Sequence, residues 1–331
     1  MTDSIEAARH TLRRVCRDLM RKPNVVATGI GYKYVNSQKT DQLAIICSVT
    51  TKQAKKNLSE KELVPAQIDG LPLDVRPVGV IRALQNPTRR FRPAPGGVSI
   101  GHELVTAGTL GCWVRKDGKW YILSNNHVLA NSNAARIGDA ILQPGRYDGG
   151  EWPLDRIAAL SDFVEIKFAK GESDCKIGRS AAAVVNAFSG KTNRITAVRE
   201  EQPENVVDCA LAEPLSTDDV LPEILNIGKV TGTGSAQLGT VVKKSGRTTG
   251  LTTGVIEQID ATVRVSYSAT QEALFVDQLL AGAMSQGGDS GSAVLNEQNE
   301  LVGLLFAGSD TITVINRIEH VFRELAIDGV E

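Results

Sequence analysis

Cysteine is scarce in this chain of 331 residues: five in all, Cys16, Cys47, Cys112, Cys175 and Cys209, never spaced C-x-x-C. An odd, scattered set excludes a disulfide framework and reads as small buried thiols in a reducing compartment. No cluster of His, Cys, Asp or Glu has metal-ligand spacing, so neither a catalytic metal nor any other cofactor is expected. No run approaches the roughly 18 apolar residues of a membrane span. The N-terminus, Met1-Thr2-Asp3-Ser4-Ile5-Glu6, lacks the charged start and apolar stretch of a secretory signal. Arg9, Arg13, Arg14, Arg17 and Arg21 hint at a mitochondrial presequence, but Asp3, Glu6 and Asp18 interrupt them, as on a solvated helix face. A net charge of −1 gives no case for nucleic-acid or membrane-surface partners. The expected location is the cytoplasm.

Glycine, by contrast, is plentiful at 31 residues, and many short Val/Ile/Thr runs accompany it, which points to strands joined by tight turns. Hydrophobic residues at 42% and charged ones at 23% describe a folded chain, long enough for about two domains. Residues 4–20 carry Ile5, Ala8, Leu12, Val15, Cys16 and Leu19 at helical spacing. Strand-like runs Val25–Val35 and Leu43–Val49 follow, then Ser59 and Glu62 as a capping box for a short helix, then an extended Leu71–Val78. Residues 1–90 thus read as a small α+β domain. Residues 86–97, rich in Pro, Gly and Arg, read as a linker whose core is 91–97, with Arg89, Arg90 and Arg92 solvated. Beyond residue 98 short strands and Gly turns dominate until a terminal helix over Asn316–Leu325, the pattern of β-barrels closed by a helix.

Three short stretches carry chemistry only when taken together. His127 ends the apolar run Trp120–Leu129, whereas His10 and His320 sit on expected helices and His102 in a Gly-flanked loop. Alone, His127 reads more readily as a hydrogen-bonded core histidine. Gln286-Gly287-Gly288-Asp289-Ser290-Gly291-Ser292 frames one serine with glycines, so that the backbone turns tightly and the amides of Gly288 and Ser290 aim at one spot. Alone, it is a Gly/Ser turn, and Ser292 rules out the G-x-S-x-G elbow of α/β-hydrolases. Asp208 interrupts the apolar run Val206–Ala212 and is either an edge-strand acid facing water or the orienter of His127. A serine hydroxyl needs a base, and the base needs an orienting acid; the chain supplies one of each, in the order His, Asp, Ser. Thr231–Gly239 starts like a dinucleotide loop, but Gln237 breaks the pattern and no βαβ unit surrounds it.

Gly288-Asp289-Ser290-Gly291, Asn126-His127-Val128 and Asp208-Cys209-Ala210-Leu211 resemble the nucleophile, base and acid motifs of trypsin/chymotrypsin-like serine proteases. Lys244–Gly250 with Thr253–Ile256 resembles the second barrel of streptogrisin-type enzymes. With Pro93–Gly101 the whole chain is similar to bacterial and plant Narrow-Leaf-type trypsin-like proteases. The resemblance implies a mainly β fold, a chymotrypsin-like double β-barrel over about 98–220 and 221–331. It implies a serine endopeptidase in which Ser290 attacks, His127 moves the proton, Asp208 orients His127, and the Gly288 and Ser290 amides hold the oxyanion. A low-turnover scaffold module and an esterase on the same triad remain the alternatives. Val128 after His127 excludes the disulfide that secreted relatives place there, Ser292 replaces a commoner glycine, and 131–200 holds an apparent insertion. No PDZ-like segment follows the barrels, so an HtrA-style sensor is not expected. In zymogen-type relatives a freed α-amino group pairs with the acid at Asp289; here Arg247 is the expected cation instead. No acid lies in the Ala281–Ser285 or Leu301–Gly308 pocket segments, so small or apolar P1 residues are expected. The implied partner is a peptide or protein substrate, with residues 1–90 open to a role in homo-oligomer assembly, inhibition or substrate choice.

Overall fold

A computed structural model describes residues 2–35, 38–79, 81, 85–169, 176–188 and 203–330. The chain divides into two compact units, Met1–Ala83 and Leu84–Glu331. In the first, the helix Thr2–Met20 sets Leu12, Val15 and Leu19 on one stripe, packed with Ile45, Cys47 and Leu73. Its sheet runs Val25–Val35, Gln38–Val49, Leu71–Pro77, Gln67–Ile68; the first two form an antiparallel hairpin, Gln38–Val49 and Leu71–Pro77 pair in parallel, and Gln67–Ile68 is antiparallel to Leu71–Pro77. Alternation along Gln38–Val49 buries Ile45, Cys47 and Val49 on the helix side. Ser59 and Glu62 do pair, Oγ to Oε2 at 2.6 Å, but around a turn rather than the expected helix.

The second unit is mainly β. One sheet follows the order Gly108–Thr109, Ser99–His102, Ala140–Leu142, Arg156–Phe163, Ala210–Pro214, Lys119–Ser124, Cys112–Lys116. Its two ends are consecutive in the chain: Leu110 N–H reaches Val98 O and Gly111 N–H reaches Leu123 O, so one bent segment joins both edges. The other sheet closes outright. Its antiparallel strands Val241–Gly246, Gly250–Ser266, Glu272–Gly282, Ile312–Arg317, Glu300–Gly308 and Ala293–Asn296 pair in a ring. Each sheet has its own interior, with Ile122, Ile141 and Ile157 in the first and Val242, Ile256 and Ile315 in the second. A third cluster, containing Leu123, Leu211, Leu295 and Leu304, joins the two sheets. The terminal helix Ile318–Leu325 seals that cluster with Ile318, Val321 and Leu325.

Several features differ from expectation. Ala94–Gly96, inside the expected linker, is a buried strand parallel to Val220–Ile224, and Trp113 Nε1 donates to Ala94 O at 2.7 Å. The apolar surface of Trp113 outweighs the Pro/Gly composition and pulls this stretch into the second unit. His102 is not in a loop but ends a strand, buried against Asp139 at 3.2 Å. The expected insertion contains a helix, Lys176–Phe188; Cys175, with 170–174 and 189–200, lies outside the described residues. The four cysteines described are free thiols, with Cys47, Cys112 and Cys209 buried. Among the described residues no helix is long and apolar enough to cross a membrane.

Candidate active site

The strand Lys119–Ser124 runs buried into the short helix Asn126–Leu129, which lifts His127 off the sheet. Asn133 pins that helix: Asn126 Nδ2 donates to Asn133 Oδ1 at 2.7 Å, and Asn133 Nδ2 to Ile166 O at 2.8 Å. Asp208 precedes the strand Ala210–Pro214 and is fully buried, so it is not a solvated edge-strand acid. Its carboxylate lies 2.6 Å from His127 Nδ1 through Oδ2 and accepts the His127 backbone N–H at 3.3 Å through Oδ1. An acceptor-only carboxylate requires the proton on Nδ1, which leaves Nε2 with a lone pair. Asn125 and Asn316 hold the Asp208 backbone from either side, at 2.7 and 3.0 Å.

Ser290 reaches the same place from the second sheet. A cleft of about 860 Å³ is lined by His127, Tyr267, Gln286, Gly287, Ser290 and Phe306, among others. Ser290 Oγ rests on the Phe306 carbonyl at 3.4 Å. The turn around it needs glycine twice: Gly288 and Gly291 have φ of +95° and +93°, and a Cβ on Gly291 would lie 2.1 Å from Ser124 Oγ. Thr248 Oγ1 donates to Gly287 O at 2.7 Å, and Ser292 Oγ to Asp289 O at 2.6 Å. In a trans peptide the N–H opposes the C=O. Pinning those two carbonyls therefore fixes the Gly288 and Ser290 amides, each pointing away from its pinned carbonyl. Ser292, a departure from the commoner glycine, takes part in this.

Asp289 is buried beneath the turn. Its Oδ1 accepts the Thr248 and Thr249 amides at 2.9 and 3.1 Å, and its Oδ2 accepts the Gln286 amide at 2.9 Å and the Thr249 hydroxyl at 2.6 Å. Its cation is Lys244, Nζ 3.3 Å from Oδ2, both side chains fully buried. This corrects the expectation that Arg247 plays that part. Arg247 instead forks onto Asp148, Nε to Oδ2 at 2.7 Å, lies over the Tyr147 ring and donates to Thr248 Oγ1 at 3.1 Å. Arg247 lies in the turn that follows the strand Val241–Gly246 and its side chain points to Asp148, whereas Lys244 lies in that strand, whose inward positions are Val242 and Lys244. Burial pushes the Asp289 carboxyl up, but the Lys244 charge and the hydrogen bonds from Thr249 and Gln286 outweigh it and hold the carboxyl below its ordinary value. A lysine at an inward strand position was the available signal for this pair.

A trypsin-like peptidase domain model matches residues 108–304, more than half of the chain and inclusive of His127, Asp208 and Ser290. The chain belongs to the trypsin-like peptidase family. Solved structures similar to this trypsin-like peptidase include protease A of Thermobifida fusca, at 19% identity, 71% of this chain and 97% of that one, and TM-score 0.46. Nocardiopsis protease is 14% identical over 72% of this chain and 98% of its own, TM-score 0.47. A Cellulomonas bogoriensis chymotrypsin is 14% identical over 70% and 96%, TM-score 0.44. Comparison with curated protein sequences returns no match.

Proposed function

We propose that this trypsin-like peptidase is a serine endopeptidase with His127, Asp208 and Ser290 as its triad. The observation that carries the reading is the contact of half-buried His127 with buried Asp208 at 2.6 Å, opening onto the cleft that Ser290 also lines. Ser290 Oγ attacks the scissile carbonyl carbon, and its proton passes to His127 Nε2. Asp208 keeps the Nδ1 proton in place and stabilises the imidazolium. The Gly288 and Ser290 amides receive the carbonyl oxygen as it becomes an oxyanion. As the C–N bond breaks, His127 returns the proton to the leaving amine, leaving an acyl-Ser290. Water, deprotonated by His127, then attacks the ester carbonyl and frees the acid.

Because Lys244 already neutralises Asp289, the uncut chain carries an assembled turn and needs no freed α-amino group to become active. The wall from Leu305 to Gly308 with Ser285 presents no buried carboxylate, which supports small or apolar P1 residues; Asp310 lies nearer the rim and is exposed. The deciding experiment is Ser290→Ala in the uncut chain, together with fluorophosphonate labelling and a peptide library. Labelling of the wild type only, and loss of hydrolysis by several orders of magnitude in the folded variant, are expected. No labelling would mean a scaffold, turnover of esters alone an esterase, and a strong Lys/Arg preference would overturn the pocket reading.

A further inference from the structure

Asp208 has one partner that no motif announces. Tyr267 stands at the tip of the long hairpin formed by Gly250–Ser266 and Glu272–Gly282, in a turn closed by its own N–H to Gln271 O at 2.9 Å. Its phenol donates to Asp208 Oδ2 at 2.8 Å, the oxygen that also faces His127 Nδ1. Its ring meets the His127 imidazole edge to face, centroids 5.7 Å apart at 72°, and is itself held by Phe168 at 5.4 Å. Burial foremost, then the Asp208 charge and hydrogen bond, push the phenol well above the ordinary tyrosine range. The hydroxyl therefore stays protonated at working pH and acts as a donor.

We propose that Tyr267 is a positioning residue for the His127–Asp208 pair, supplied across the cleft by the second sheet's hairpin. His127 and Asp208 both stem from the first sheet, so their mutual distance is set within one sheet. Their direction toward Ser290, which stems from the other, is not. Two donors converging on Oδ2 and the His127 amide on Oδ1 leave the carboxylate plane no freedom to turn. The imidazole that hangs on it then presents Nε2 to the cleft. The tyrosine also blocks one side of the pair from water, which keeps the His–Asp hydrogen bond in a low-dielectric setting. The proposal rests on the triad reading given above.

The test is Tyr267→Phe in the full chain, which keeps the ring and removes one oxygen. Melting temperature reports whether the fold persists, kcat and KM are measured on a cleaved peptide, and the low-field proton resonance of His127 Nδ1 is followed by NMR. A fall in kcat of about tenfold is expected from losing a hydrogen bond to a charged group. KM should be unchanged and the Nδ1 resonance displaced. In an Asp208→Asn background the same change should have no further effect on kcat, since the phenol acts through the carboxylate. Wild-type kcat and an unmoved resonance in Tyr267→Phe would overturn the inference while leaving the triad intact. A wild-type chain that neither labels with fluorophosphonate nor hydrolyses any peptide would overturn the triad reading, and the inference with it. The resonance requires no turnover, so the two failures are told apart.

Discussion

At Asp289 a buried charge is held by five donors rather than by one partner. With its carboxyl held below the ordinary 3.8, the unfolded chain binds the proton first as pH falls. The Asp289 contribution to stability is therefore complete above that value and is lost as pH drops through the lower folded-state value. Melting temperatures of wild type and Asp289→Asn, measured from pH 2 to 6, should differ most at the upper end and converge toward the lower. Gly291 is as constrained by space as Asp289 is by charge. Gly291→Ala places a methyl group 2.3 Å from Thr109 O at a left-handed φ, and should cost about 2–4 kcal/mol in denaturant unfolding. Both residues were legible as members of a Gly-Asp-Ser-Gly string. Tyr267 was not, because nothing local marks a tyrosine at a hairpin tip as the partner of an acid 59 residues away.

The strand Val241–Gly246 shows how an element can carry a cation into the core. Val242 and Lys244 alternate inward, and the strand's pairing with Gly250–Val255 brings Thr249 and Gly250 over the lysine, whose Nζ donates to Gly250 O at 3.0 Å. Lys244→Met strands the Asp289 carboxylate without its cation and should destabilise the protein by about 3–5 kcal/mol. The double variant Lys244→Met/Asp289→Asn should recover much of that loss, since no buried charge is then left unpaired. Turnover should fall in the single variant although His127, Asp208 and Ser290 are untouched, a comparison made by steady-state kinetics at matched folded fraction. The terminal helix is the simpler case. Its apolar positions at helical spacing were readable, and Ile318, Val321 and Leu325 are the ones buried. Leu325→Ala should cost about 2–5 kcal/mol in denaturant unfolding, because the seal between the two sheets cannot collapse onto the missing volume.

For the molecule as a whole, the two units have separate interiors. The cluster of Leu19, Ile45, Cys47 and Leu73 in the first is much smaller than those of the second. A small core supplies little stability. Calorimetry of the full chain is accordingly expected to resolve two transitions, with that of Met1–Ala83 at the lower temperature; one cooperative transition would contradict independent units. The second unit has the opposite character. Its two sheets share a core, and the carboxylate–imidazole pair from one faces the serine turn from the other across the cleft.

Mainly β class, the strands Val25–Val35 and Leu71–Pro77, both terminal helices and the three motif strings could be read from local pattern, because alternation, helical spacing and glycine placement are properties of neighbouring residues. Pairings across long separations could not be read this way. Ala94–Gly96 had the composition of a linker, yet it is buried because Trp113 and Val220–Ile224 require its edge. The motif string pointed to Arg247 as the partner of Asp289, yet Lys244 holds it. Which cation lies within 4 Å of a buried carboxylate depends on strand phase and on the turn that follows, and only the packed sheets set both. Electrostatic energy falls with distance and rises as water is excluded, and neither quantity exists until the chain has folded.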